Sequence, residues 1–281
     1  MDVRKPDIED VSRHYDNMTD FYHIMWGESL HLGYWPDPAV DLDIEAAQEC
    51  FTDLMIRHMP LQPGQRMLDV GCGTGQPAVR LAQATGGSVV GITINRMQVE
   101  RANARAQAAG VSDRVRFEFA NAMELPYADA SFNAVWAFES LFHMPDRAQV
   151  LREMARVVRP GGRFLIADLV EADIEEEVLM SDAHRALFFS TFEMNVLPTP
   201  AQYRQVLQES SFAVADVIDI TPNTFNTLRK SITMLEQQQK HDQLRKVYDQ
   251  AMIDALPALF RQIRDIYETH IRYLVLSGTR R

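Results

Sequence analysis

At 281 residues, 46% of them hydrophobic and 24% charged, the chain can bury a sizeable core and does not have the composition of a disordered protein. A formal net charge of −11 argues against nucleic acid or an anionic membrane as the main partner, since both are gripped by basic patches. Two cysteines, Cys50 and Cys72, are too few for a disulfide framework, and no apolar run is long enough to span a bilayer.

Met1 to Pro6 is followed by no apolar segment that would make a signal peptide, so a cytoplasmic location is expected. From Asp7 to Met25 the spacing of Ile8, Val11, Tyr15, Met18, Phe21 and Tyr22 predicts a helix that ends at Trp26-Gly27. The aromatic, breaker-rich stretch Ser29 to Pro38 reads as a loop, and Asp43 to Met59 as a second helix. Residues 1–60 are thus expected to form a helical cap.

The stretch Leu68-Asp69-Val70-Gly71-Cys72-Gly73-Thr74-Gly75-Gln76-Pro77 carries the strongest signal in the chain. A short apolar run, a glycine-rich turn and a helix start, in that order, suit an anionic or nucleotide cofactor. Glycine lets the backbone bend and approach a ligand, and the helix start offers free N–H groups. The spacing is G-x-G-x-G, not the G-x-G-x-x-G of dinucleotide sites.

Strands are predicted at Ser88–Ile92, Arg114–Phe119, Ser131–Phe138 and Arg163–Asp168. Helices are predicted at Asn95–Ala109 and at Asp146–Val158, the latter closed by Pro160-Gly161-Gly162. Glu171 to Asn195 reads as helix, changing from Glu175-Glu176-Glu177 to Leu187-Phe188-Phe189. Helix Pro200–Ser210 and strand Ala213–Ile220 resume the alternation. A long polar helical stretch then runs from Thr224 to Tyr267, and Ile271–Leu276 closes as a strand. Alternating strands and helices imply an α/β fold with a parallel sheet, whose ligands sit at the carboxyl ends of the strands.

LDVGCGTG resembles motif I of the class I S-adenosylmethionine (SAM)-dependent methyltransferases. The resemblance continues through GITINRMQ, ANAMELPY, SFNAVWAFESLFHMPD and RVVRPGGRFLIADL, and WGESLHLGYW near the start resembles the natural-product group that includes the rebeccamycin sugar O-methyltransferase; tocopherol, rifamycin and spinosyn methyltransferases are also similar, and mycolic acid cyclopropane synthases more distantly. It implies a Rossmann-like class I methyltransferase fold, with a seven-stranded, mostly parallel sheet. The core would span residues 61–221, a helical insert or lid 222–268, and the final strand 269–281.

The same resemblance implies SAM as cofactor. Gly71, Gly73 and Gly75 would lie under its methionine part, oriented by Asp69. Thr93 and Gln98 would meet the ribose, in place of the usual acidic residue. Asn121, with Ala122 and Met123, would meet the adenine. His31, Tyr15 and Phe138 are further cofactor-side candidates.

If the acceptor is a hydroxyl, a base should remove its proton, and histidine suits that task near neutrality. His143 follows the fourth strand and Asp168 ends the fifth, so the two are expected at one rim as a carboxylate–imidazole pair. Where the rebeccamycin-type loop has two adjacent histidines, the first position here is Phe142. Phe142, Phe188, Phe189, Phe192 and Tyr34 are candidates for an apolar acceptor pocket. No metal-ligand spacing is present.

The leading expectation is O-methylation of a small hydrophobic metabolite. C-methylation of a prenyl diphosphate or aromatic substrate, and a methyltransferase-like cyclase holding the cofactor structurally, stay open. So does the oligomeric state.

Overall fold

The computed structural model describes residues 6–173 and 180–281. Helix α1 (Ile8–Trp26) begins in a capping box, with Asp10 N–H donating to Asp7 Oδ1 at 2.9 Å, and stops at Gly27, where φ is +82°. Helix α2 (Ile44–His58) is capped by Asp43. The alternation then runs β1 (Arg66–Val70), α3 (Gln76–Thr85), β2 (Ser88–Thr93), α4 (Arg96–Ala108), β3 (Val115–Phe119), β4 (Phe132–Phe138), α5 (Arg147–Val157) and β5 (Val158–Glu171). After α6 (Asp182–Thr191), α7 (Pro200–Glu209) and β6 (Phe212–Asp219) come α8 (Thr221–Thr224), α9 (Asn226–Leu235), α10 (Gln238–Leu244), α11 (Gln250–His270) and β7 (Ile271–Arg280).

The seven strands lie in the order β3-β2-β1-β4-β5-β7-β6, with β7 antiparallel to both of its neighbours and the remaining pairs parallel. The order reverses at β1, and the crevice at the carboxyl ends of β1 and β4 is where such sheets place ligands. Side chains alternate across each strand, giving the sheet two apolar faces. On one, Met67, Trp136, Leu165 and Ala167 pack in a single cluster with α1, α2, α9 and α11. On the other, Leu68, Val135 and Ile166 pack with Val150 and Leu151 of α5 and Leu207 of α7. Helices therefore cover both apolar faces of the sheet.

Three elements differ from expectation. Pro160-Gly161-Gly162 does not separate helix from strand. It lies inside β5, where Val158 already pairs with Phe132 and the register breaks before Ala134. Gly161 has φ +73°, and a Cβ at Gly162 would stand 2.4 Å from Val158 Cγ1. The stretch expected as helix from Glu171 opens on strand, because pairing with β7 holds the backbone extended as far as Glu171↔Ile271. Among the described residues its helix is α6, which Ser181 caps. Glu175, Glu176 and Glu177 lie outside the described residues. The long insert is broken into separate helices, with Asp249 capping the last. Among the described residues no helix is long and apolar enough to cross a membrane.

Candidate functional site

The turn after β1 is built from left-handed backbone. Gly71, Gly73 and Gly75 have φ of +79°, +52° and +82°. The three glycines do different work. A Cβ on Gly71 would strike Ser140 Cβ at 2.2 Å, and one on Gly75 would strike Phe117 Cζ at 2.6 Å and Ala102 Cβ at 2.9 Å. One on Gly73 meets only Leu30 Cδ1 at 3.4 Å, so this glycine keeps a cradle open. Gly71 and Gly73 line a deep cavity at this edge of the sheet.

Its floor is the carboxyl edge of β1, β2, β4 and β5, and its roof comes from α1, the loop after it, α6, α9 and α11. The described lining includes no lysine or arginine. Asp69, 2% exposed, lies beneath the glycine turn, and burial pushes its pKa up to about 7. A carboxylate so placed favours a cationic partner. Thr93 donates to Gln98 Oε1 at 2.7 Å, which leaves the Gln98 amide nitrogen as a donor at the cavity. Asn121 Oδ1 accepts Met123 N–H at 2.9 Å, so the amide first folds its own loop and has one lone pair left for a ligand. An open glycine cradle, a buried carboxylate and a free amide donor together fit a cofactor with a cationic amino-acid end and a polar nucleoside.

His31 lines the cavity but is satisfied within the protein. Its Nδ1–H donates to the Leu32 carbonyl at 2.8 Å, Nε2 stands 3.3 Å from Thr52 Oγ1, and the ring stacks on Phe138 at 4.2 Å. Tyr15, Phe142, His143, Phe188 and Phe192 also line it. Gly75, Tyr34, Phe189 and Asp168 do not. Gly75 is a packing glycine, Phe189 faces the core beside Arg185, and Tyr34 packs against Phe51.

The expected His143–Asp168 pair is not formed. Strand alternation explains this: Ala167 and Leu169 share the face of the sheet nearest the cavity, so Asp168 points to the other side. There, fully buried, it accepts from Tyr203 Oη at 2.7 Å and from Leu169 N–H at 2.9 Å, with Arg147 Nε 4.0 Å away. Burial raises its pKa to about 6 despite the Arg147 charge.

His143 is held differently. Its Nδ1 lies 2.9 Å from the Glu193 carbonyl and its Nε2 lies 2.9 Å from Tyr15 Oη. A carbonyl only accepts, so Nδ1 carries the proton and Tyr15 donates to Nε2. Burial lowers the His143 pKa to about 4, so the imidazole is neutral at pH 7.

One ionisable group escapes the sequence reading. Glu139 directly follows β4, at φ +50°, and lines the cavity. Its Oε1 accepts from Leu32 N–H at 2.9 Å and Tyr273 Oη at 2.7 Å, and burial pushes its pKa up to about 8. The available signal was a lone acid directly after an apolar strand, at the edge where ligands bind. No cluster of three or more His, Cys, Asp or Glu side chains able to hold a metal occurs among the described residues.

Comparison with known proteins agrees with this architecture. Residues 2–274 match the mycolic acid cyclopropane synthetase family. The chain is 39% identical to (+)-O-methylkolavelool synthase of Herpetosiphon aurantiacus, over 98% of this chain and 95% of that one. It is 52% identical to 27-O-demethylrifamycin SV methyltransferase of Amycolatopsis mediterranei, over 60% and 61%. The crystal structure of the 4+2 cyclase SpnF superimposes with a TM-score of 0.82 at 27% identity, over 98% and 96%. The chain therefore belongs to the mycolic acid cyclopropane synthetase family and is a class I SAM-dependent methyltransferase.

Proposed function

We propose that the protein transfers the SAM methyl group to a hydroxyl of an uncharged, hydrophobic small molecule. The observation that carries this is the cavity chemistry: an apolar wall without lysine or arginine among its described residues, facing the neutral imidazole of His143, which is reached through Tyr15. Asp69 takes the cationic methionine end above the glycine turn, Thr93 and Gln98 the ribose, and Asn121, Ala122 and Met123 the adenine. Phe142, Phe188 and Phe192 wall the acceptor.

Bound SAM supplies a methyl made electrophilic by its sulfonium. The displacement is in line, so the chain's work is alignment and exclusion of water. The acceptor hydroxyl docks at Tyr15 Oη. As its oxygen takes the methyl, its proton passes to Tyr15, and the Tyr15 proton passes to His143 Nε2. The His143 imidazole would end with the positive charge that the sulfonium brings, so the cavity's net charge would be unchanged. That matters where the surroundings screen charge poorly. Phe138 and His31 brace the cofactor side by stacking.

Oxygen is favoured over carbon by the two relatives, whose names specify O-methylated or O-demethylated compounds. A prenyl diphosphate is disfavoured, because the described lining of the cavity offers no lysine or arginine to hold its phosphates. The test is incubation with SAM carrying a deuterated methyl and a panel of terpenoid alcohols, macrolide alcohols, phenolic glycosides and prenyl diphosphates. Label is expected on oxygen of an apolar alcohol. Tyr15→Phe and His143→Gln should then each lower turnover by about a hundredfold. Label on carbon, or unchanged turnover and pH profile in His143→Gln, would refute the assignment.

A further inference from the structure

The chain after α6 fixes how His143 is presented. Glu193 stands at φ +46°, in the left-handed region that larger side chains rarely enter, and Met194 N–H closes the helix end by donating to the Phe189 carbonyl at 2.9 Å. That turn aims the Glu193 carbonyl at His143 Nδ1. Two residues after Glu193, Asn195 grips the same His143 loop by its own backbone. The Asn195 backbone N–H donates to the Phe142 carbonyl at 2.7 Å, and its Nδ2 donates to the His143 carbonyl at 3.0 Å. Asn195 is 5% exposed, and its Oδ1 has no partner among the described residues, so the amide is buried at a cost for the sake of its donors. The same segment sends Phe188, Phe192 and Met194 into the cavity wall.

We propose that Asn195 is a positioning residue for the proton transfer: it clamps the Phe142–His143 turn to the 193–195 segment, so that the Glu193 carbonyl fixes the tautomer with the lone pair on Nε2. This rests on the reading of His143 as proton acceptor. Asn195 does not line the cavity and acts only through His143. Because one segment carries both the clamp and the aromatic wall, an acceptor that presses on Phe188 and Phe192 also loads the bonds that orient the base.

Long-range proton–nitrogen correlation on protein labelled in its histidine rings reads the tautomer directly and needs no acceptor. His143 is assigned by the signals lost in His143→Gln. The wild type is expected in the Nδ1–H form, opposite to the one free histidine prefers. Asn195→Ala is expected to show a mixture of tautomers, unchanged SAM affinity, and about a tenfold lower kcat with the alcohol that takes label. An Nε2–H tautomer in the wild type would overturn the proposal whether or not the variant folds. An unmixed tautomer in folded Asn195→Ala would overturn the positioning role alone. Tautomer mixing with kcat unchanged would overturn the His143 base, and the positioning role with it.

Discussion

Replacing Glu139 by glutamine isolates one buried carboxyl. Burial raises its pKa from 4.5 to about 8; the bonds from Tyr273 and Leu32 oppose this, and the Asp168 charge adds to it. The folded pKa lies above the unfolded one, so the folded protein binds this proton more tightly. The resulting stability is fully present below pH 4.5 and is lost as pH rises through 8. Each pH unit inside that window is worth about 1.4 kcal/mol. Between about pH 6 and pH 9 the wild type should therefore lose about 3 kcal/mol that Glu139→Gln does not. The glutamine amide still offers an oxygen to the Leu32 and Tyr273 donors, so the comparison removes charge and keeps shape. For a chain of this size the difference corresponds to about 5–10 °C in unfolding midpoint. The assay is thermal unfolding of both proteins without SAM across that range. Asp69 and the buried histidines titrate in both proteins and cancel in the difference. Parallel midpoint-against-pH curves would refute the argument that burial governs Glu139.

The glycines of the turn should separate by function. Gly75→Ala forces a Cβ against Phe117 and Ala102 and should cost about 2–3 kcal/mol in chemical denaturation. Gly73→Ala has room within the protein, so it should cost only about 1 kcal/mol while lowering SAM affinity at least about tenfold. The reverse pattern would show that the cradle is assigned to the wrong glycine. Asp69→Asn should weaken SAM binding by about 2–3 kcal/mol in calorimetry, and unchanged affinity would remove it from the cationic end of the cofactor. Asp168→Asn should leave the pH profile of turnover in place, because the carboxylate touches Tyr203 and Leu169 N–H instead of His143. A shifted profile would restore the carboxylate–imidazole pair.

What local sequence determines is the part of the protein built by neighbours along the chain. The run Leu68 to Pro77 specifies a strand, a left-handed turn and a helix start by itself, because glycine tolerance and strand periodicity act within a few residues. It therefore placed Asp69, Gly71 and Gly73 at the cavity, and the strand–helix alternation implied the parallel sheet. The same alternation, applied to β5, places Asp168 with Ile166 on the face away from the cavity. Proximity at a rim does not make a pair, because strand parity turns the Asp168 side chain away from His143. Other features come only from tertiary packing. Tyr15 meets His143 across 128 positions, and Glu139 takes its donors from Leu32 and Tyr273, 107 and 134 positions away. Pairing with β7 carries β5 on to Glu171, where local propensity favours helix. Whether an acid or an imidazole is charged depends on what covers it. Here the cover is α1, α6, α9 and α11, laid over the strand ends by hydrophobic burial, which has no short-range periodicity to read.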